Sequence, residues 1–147
     1  MFRHDNVPNR AALARVVARL CRTRGLVMVV AGDARLAVAV GAGIHLRGGY
    51  WPGQVRLRRR LVSSSAHNGV ELRRASVSGA HIAFLSPAFA TESHPEVPAL
   101  GPVRWLRVAR TANIPVAALG GIDHITAVRL PARFCYGVGA IGALAPG

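Results

Sequence analysis

Ile114-Pro115-Val116-Ala117-Ala118-Leu119-Gly120-Gly121-Ile122 is the stretch on which the fold is decided. A short apolar run closed by a glycine pair predicts a strand, Ile114–Leu119, buried on both faces and ending in a tight turn. A short helix, Asp123–Arg129, and a last strand, Phe134–Val138, follow it. Upstream, the same alternation repeats at roughly 20-residue spacing. Asn9–Thr23 has the pattern of an amphipathic helix, with Leu13, Val16, Val17 and Leu20 in one stripe, Asn9 as N-cap and Gly25 as stop. Leu26–Ala31 is a strand, Asp33–Val40 a helix stopped by Gly41, and Gly43–Leu46 a strand. Gln54–Arg60 is read as helical and Leu61–Ser64 as a strand. Gly69–Ser78 is a helix with Val70 and Ala75 inward, and His81–Leu85 a strand. A long loop, Ser86–Gly101, leads to a helix, Pro102–Thr111, opened by its proline. Strand and helix in alternation imply a parallel α/β sheet with crossover helices, with Met1–His4 as the stump of a further strand.

The 147 residues allow one domain, 1–147, and the 51% hydrophobic content can build a core. All 19 basic residues are Arg, against 6 acidic ones, for a net charge of +13. Such a charge suits an anionic partner, although total exclusion of Lys has the look of codon bias. Cys21 and Cys135 lack metal-ligand spacing and read as small buried hydrophobes in a reducing cytoplasm. No apolar run reaches the ~18 residues of a membrane span, and Met1–Asp5 does not begin a signal peptide.

In parallel α/β folds ligands gather at the carboxyl ends of the strands. The polar and glycine residues concentrate there: Ser63–Asn68, Ser86-Pro87, Thr91-Glu92-Ser93-His94 and Gly120-Gly121. That coincidence points to phosphate handling, because glycine admits a phosphate close to bare backbone N–H groups.

Four of these stretches together resemble the thiamine-phosphate synthase/TenI family. Ser86–His94 is similar to its G/S-P-x-F-x-T-x-[ST]-[KH], and Ile114–Ile122 to its I-P-V-x-A-[IL]-G-G-I. Gly41–Leu46 is similar to G-A-D-G-V-H-L with one residue fewer, and Ser65-Ala66-His67 to S-[TA]-H. Each motif alone is weak, but the four stand in family order across nearly the whole chain.

The resemblance implies a TIM-type (β/α)₈ barrel, here incomplete: the first strand, first helix and most of the second strand would be missing, with Phe2-Arg3-His4 ending that second strand. Open edges of such a sheet would pair in a homo-oligomer. The resemblance also implies thiamine biosynthesis, a transferase joining hydroxymethylpyrimidine diphosphate to thiazole phosphate with release of pyrophosphate. Its partners would be small phosphorylated substrates, not a membrane or nucleic acid. It assigns His94, Ser65 and Arg3 to catalysis. Thr91, Ser93 and His94 would hold pyrophosphate, and Gly120, Gly121, Ile141 and Gly142 the phosphate of the second substrate. Mg²⁺ is expected from the family, but its usual carboxylates fall at Ala31-Gly32 and Gly49-Tyr50, so no metal ligand is assigned. His94 stands where Lys is more usual, which ties its charge to pH.

Plainer readings stand beside these. His67 caps a helix or satisfies backbone groups, His45 is a packed core histidine, and Arg56–Arg60 is a solvated face. The alternatives are a TenI-like thiazole tautomerase, a non-catalytic phosphate-binding protein or inactive fragment, and an Arg-rich nucleic-acid binder. Pro87 occupies the position of the tautomerase histidine. The scattered arginines, without aromatic stacking pairs, disfavour the nucleic-acid reading.

Overall fold

A computed structural model describes residues 1–57, 59–91 and 96–140. Six parallel strands pair in sequence order: β1 (Val29–Ala31), β2 (Gly43–Leu46), β3 (Val62–Ala66), β4 (Ile82–Leu85), β5 (Val116–Leu119) and β6 (Gly137–Gly139). Helices α1 (Arg10–Thr23), α2 (Ala34–Val40), α3 (Gly69–Val77), α4 (Gly101–Ala109) and α5 (His124–Ala127) complete the elements. The strands form a half-barrel of the TIM type. Phe2 extends the sheet beyond β1: its N–H donates to the Val29 carbonyl at 2.8 Å, and its carbonyl accepts from Ala31 at 2.9 Å.

Alternation along the strands sorts side chains onto two faces. Val30, Ile44, Leu46, Val62, Ser64, Ala66, Ala83, Leu85, Val116 and Ala118 lie on one face, all buried. All but Ser64 join the apolar core with Ala14, Ala37, Leu72, Ala75 and Trp105 of the helices. Trp105 is fully buried and its indole N–H donates to the Leu85 carbonyl at 3.2 Å. The opposite face carries His45, Ser63, Ser65, Phe84, Leu119 and Gly139, matched across the ladders. Side chains two strands apart meet there: the His45 and Phe84 rings lie 6.0 Å apart. A Cβ on Gly139 would come within 3.5 Å of the Phe84 ring.

Several sequence expectations need correction. In α1 the buried residues are Ala14 and Ala18, while Leu13, Val16 and Leu20 of the expected stripe are exposed. Alanine lets the helix axis approach its neighbours closely, and α2 likewise turns Ala34 and Ala37 inward. Asn9 occupies the N-cap position with left-handed backbone and makes no side-chain cap. Leu26 and Val27 fall outside β1 and are exposed. Gln54–Arg60 is not helical over its described residues: Pro52 and Gly53 precede it in a run of bends, and Val55 and Leu57 pack against the core on either side of exposed Arg56. Val70 faces outward in α3, where Leu72 and Ala75 are buried. Asp33, Asn68 and Asp123 cap α2, α3 and α5 through side-chain oxygens.

The inward alanines of α1 make a prediction. Ala18→Leu overfills the α1 contact and should destabilise the protein by about 1–3 kcal/mol, whereas Val16→Gln on the exposed side should stay within about 0.5 kcal/mol. Urea unfolding of the two variants measures the contrast; equal losses would return Val16 to the core.

Candidate functional site

At the carboxyl ends of β1–β3 the sequence places Arg3, Gly32, His45, Arg47, Gly48 and Ser65. Arg3 follows Phe2, which bridges Val30, so it lies level with the end of β1. Ser65 lies on the His45 face of β3, half-buried, and its hydroxyl oxygen accepts the Gly48 N–H at 3.0 Å. Thus two of the residues expected to act, Arg3 and Ser65, come to one corner of the sheet. Arg47 joins them, and the sequence reading did not single it out. A basic residue directly after the His45-Leu46 strand end and before a glycine pair was its only signal.

Arg47 is held in an unusual place. Its guanidinium pairs with Asp5, and its Nε lies 3.1 Å from the position a Cβ on Gly32 would take. Gly32 has φ +66°, where a side chain would be strained as well as crowded. Arg10 is the clamp below: Nη1 donates to Asp33 at 2.6 Å, Nε to the His4 carbonyl at 2.6 Å, and Nη2 lies 3.4 Å from Asp5. Beside Gly32, an open cleft of about 600 Å³ runs between the start of α2 and Pro52–Val55.

His45 is the buried titratable group of this corner, 5% exposed, with Nδ1 3.0 Å from the Ser63 hydroxyl. Burial first, and then positive charges including Arg3 and Arg47, push its pKa down from 6.5 to about 4. It is the packed, neutral histidine that the sequence suggested. His67 is also a structural group: Nδ1 contacts the Ser86 carbonyl at 2.8 Å, and its N–H donates to Glu71 at 3.0 Å.

The neighbouring corner holds Thr91, Gly120 and Gly121. Thr91 is half-buried in the loop after β4. That loop is closed at its neck, where Leu100 and Gly101 donate to the carbonyls of Pro87 and Ala88 at 3.0 and 2.9 Å. Gly120 and Gly121 turn against its first residues. Ala88 and Phe89 donate to the Leu119 and Gly120 carbonyls at 2.8 and 3.0 Å, and a Cβ on Gly121 would sit 2.2 Å from the Ala90 carbonyl oxygen. Loop packing therefore requires both glycines independently of any ligand. Asp123, held below the usual carboxylate value by Thr126 hydrogen bonds, caps α5 at 2.7–2.8 Å. Ser93, His94, Ile141 and Gly142 lie outside the described residues.

The donor set does not fit a hard cation. Asp33 caps Leu36 with one oxygen and binds Arg10 with the other; Asp5 binds Arg10 and Arg47. At Gly49 a Cβ would meet the Ala75 nitrogen at 2.8 Å, so no carboxylate can stand there, and Tyr50 is exposed beneath the Arg74 guanidinium. Among the described residues, no cluster of three His, Cys, Asp or Glu side chains could hold a metal.

Arginine also covers aromatic rings elsewhere, Arg56 on Trp51 at 4.6 Å and Arg110 on Phe134 at 5.5 Å. The expectation that the arginines lack aromatic partners is thus corrected. The rings lie beneath the arginines, so these pairs are not open platforms for bases. Exposed Arg56, Arg59 and Arg60 form the solvated face expected there; Arg58 lies outside the described residues. Cys21 and Cys135 are free, half-buried and packed against the core.

Comparisons with known proteins give the family. The family profile described as thiamine monophosphate synthase (TMP-TENI) matches residues 2–144. The chain is 35% identical to the thiamine-phosphate synthase of Geobacillus thermodenitrificans over 144 residues, covering 92% of this chain and 64% of that protein. It is 35% identical to the putative thiamine-phosphate synthase 2 of Aquifex aeolicus, covering 88% of this chain and 69% of the relative. It thus spans about two thirds of the length of these curated relatives. The solved thiamine phosphate pyrophosphorylase from Pyrococcus furiosus superposes with a TM-score of 0.78 at 22% identity, covering 97% of this chain and 71% of that one. That likeness establishes the fold.

His45 makes the site's state pH-dependent in a checkable way. The unfolded chain binds a proton near pH 6.5, whereas folded His45 resists it down to about 4. Stability is therefore full above pH 6.5 and declines as pH falls towards 4, by about 3 kcal/mol in all. Urea unfolding between pH 7 and pH 4.5 should show this loss, and His45→Gln should flatten it. An unchanged slope in the variant would assign the acid sensitivity elsewhere.

Proposed function

The chain belongs to the thiamine monophosphate synthase family, and on that premise we propose that it acts in thiamine biosynthesis as a thiamine-phosphate synthase-like transferase. Its substrates would be hydroxymethylpyrimidine diphosphate and thiazole phosphate. The bond from the pyrimidine methylene carbon to the diphosphate oxygen breaks, and pyrophosphate leaves with both electrons. The thiazole nitrogen then gives its lone pair to the resulting carbocation and forms the new C–N bond. The protein has to align two anions and stabilise the departing charge.

The single observation that carries this reading is the convergence of Arg3, Arg47 and Ser65 at the carboxyl ends of β1–β3, in a chain matched to the family over residues 2–144. In this reading Arg3 and Ser65 hold the diphosphate, with Thr91, Ser93 and His94 adding donors to it. Gly120, Gly121, Ile141 and Gly142 receive the phosphate of the thiazole. We read the six strands as the third to eighth of an eight-stranded barrel, with Phe2 ending the second. Free Cys21 and Cys135 support a reducing compartment, hence the cytoplasm. Pro87, where a tautomerase would carry histidine, supports the synthase over the tautomerase branch.

Incubating the purified protein with both substrates should yield thiamine phosphate and pyrophosphate in equal amounts, followed by mass spectrometry. Ser65→Ala and Thr91→Ala should each lower kcat/KM by about tenfold to a hundredfold. Calorimetry should show thiazole phosphate and pyrophosphate binding that weakens as salt rises. Absence of product together with absence of binding to either anion would overturn the reading.

A further inference from the structure

The Arg47 guanidinium lies against Gly32, one of the two positions where the family resemblance calls for a carboxylate. A carboxylate near the end of β1 would help to hold Mg²⁺, but the residue there is Gly32. The Arg47 guanidinium fills the adjoining space, with Nε, Cζ and Nη2 at 3.1, 3.2 and 3.3 Å from the missing Cβ. The other carboxylate position, Gly49, is closed by the backbone of α3. The two aspartates in reach are already engaged by arginines, and Asp33 also by its helix cap.

We propose that this chain holds pyrophosphate directly on the Arg47 guanidinium, and that binding needs no divalent cation. The proposal rests on the synthase reading and deepens it by naming how the leaving group is received. Guanidinium is suited to the task, since it stays charged and presents a planar fork of donors to phosphate oxygens. Asp5 engages Nη2 and leaves the group 56% exposed by its side chain. Ser65 is brought alongside by the Gly48 N–H, and Arg3 adds positive charge from the neighbouring strand end. Asp5 both orients Arg47 and competes with the anion, so removing its charge should favour the ligand.

Calorimetric titration of inorganic pyrophosphate into the whole chain, in EDTA and then in millimolar MgCl₂, tests this. Binding should appear in EDTA, with affinity changed less than about threefold by Mg²⁺. Arg47→Gln should weaken it at least tenfold while leaving the unfolding midpoint near that of the parent. Arg104→Gln on the exposed face of α4 removes the same charge and should change affinity less than twofold. Asp5→Asn should tighten binding several-fold. Binding that appears only with Mg²⁺ would overturn this proposal and leave the synthase reading intact. Equal losses in the Arg47 and Arg104 variants would reduce Arg47 to bulk charge and overturn the proposal. No binding under either condition would sink both.

Discussion

A parallel ladder with sequential strands imposes one constraint on everything else: alternate residues must serve opposite faces, one packed by the helices and the other carrying the strand-end polar groups. Val62-Ser63-Ser64-Ser65-Ala66 shows the consequence in a single strand. Ser63 contacts His45 and Ser65 receives the Gly48 N–H, on the face that carries the candidate site. Ser64, between them, is fully buried towards the helices and turns its hydroxyl onto the Ser65 carbonyl at 2.9 Å. A one-residue slip would exchange core and site together.

The strands were legible because their signal is local. Short apolar runs announce themselves, as at Val116–Leu119 before Gly120-Gly121, and Gly41 stops α2 as its position in the sequence suggests. The helix faces were not legible, for a physical reason. Hydrophobicity ranks Leu13 and Val16 above Ala14 and Ala18, but close helix packing selects the smaller side chain. Gln54–Arg60 misled in the opposite way: its content suits a helix, yet its described residues follow the bends at Pro52-Gly53 and pack Val55 and Leu57 against the core without helical turns.

At the site, sequence pattern located the strand ends but not the contacts between them. Arg3 and Ser65 were reached through motifs. Arg47 was missed because its role depends on Gly32, fifteen positions earlier, and on Asp5, in a different part of the chain. The glycine pair at 120–121 was found for a reason the structure broadens: its close approach to Phe89 and Ala90 fixes the mouth of the long loop whatever lies above it. A glycine signal therefore marks where backbone meets backbone before it marks where phosphate meets backbone.

Charge composition and site chemistry then follow one logic. The chain has 6 acidic residues against 19 arginines. Asp5 and Asp33 engage arginines, Asp33 and Asp123 cap helices, and Glu71 receives the His67 N–H. Each of these four carboxylates thus already has structural work as an acceptor, and moving any one to a cation would release an arginine or open a helix end. With guanidinium groups in excess, neutralising an anion by Arg47 draws on Asp5 alone and leaves Asp33, Asp123 and Glu71 where they are. A binding corner built from the abundant charge is the arrangement that asks least of the rest of the fold.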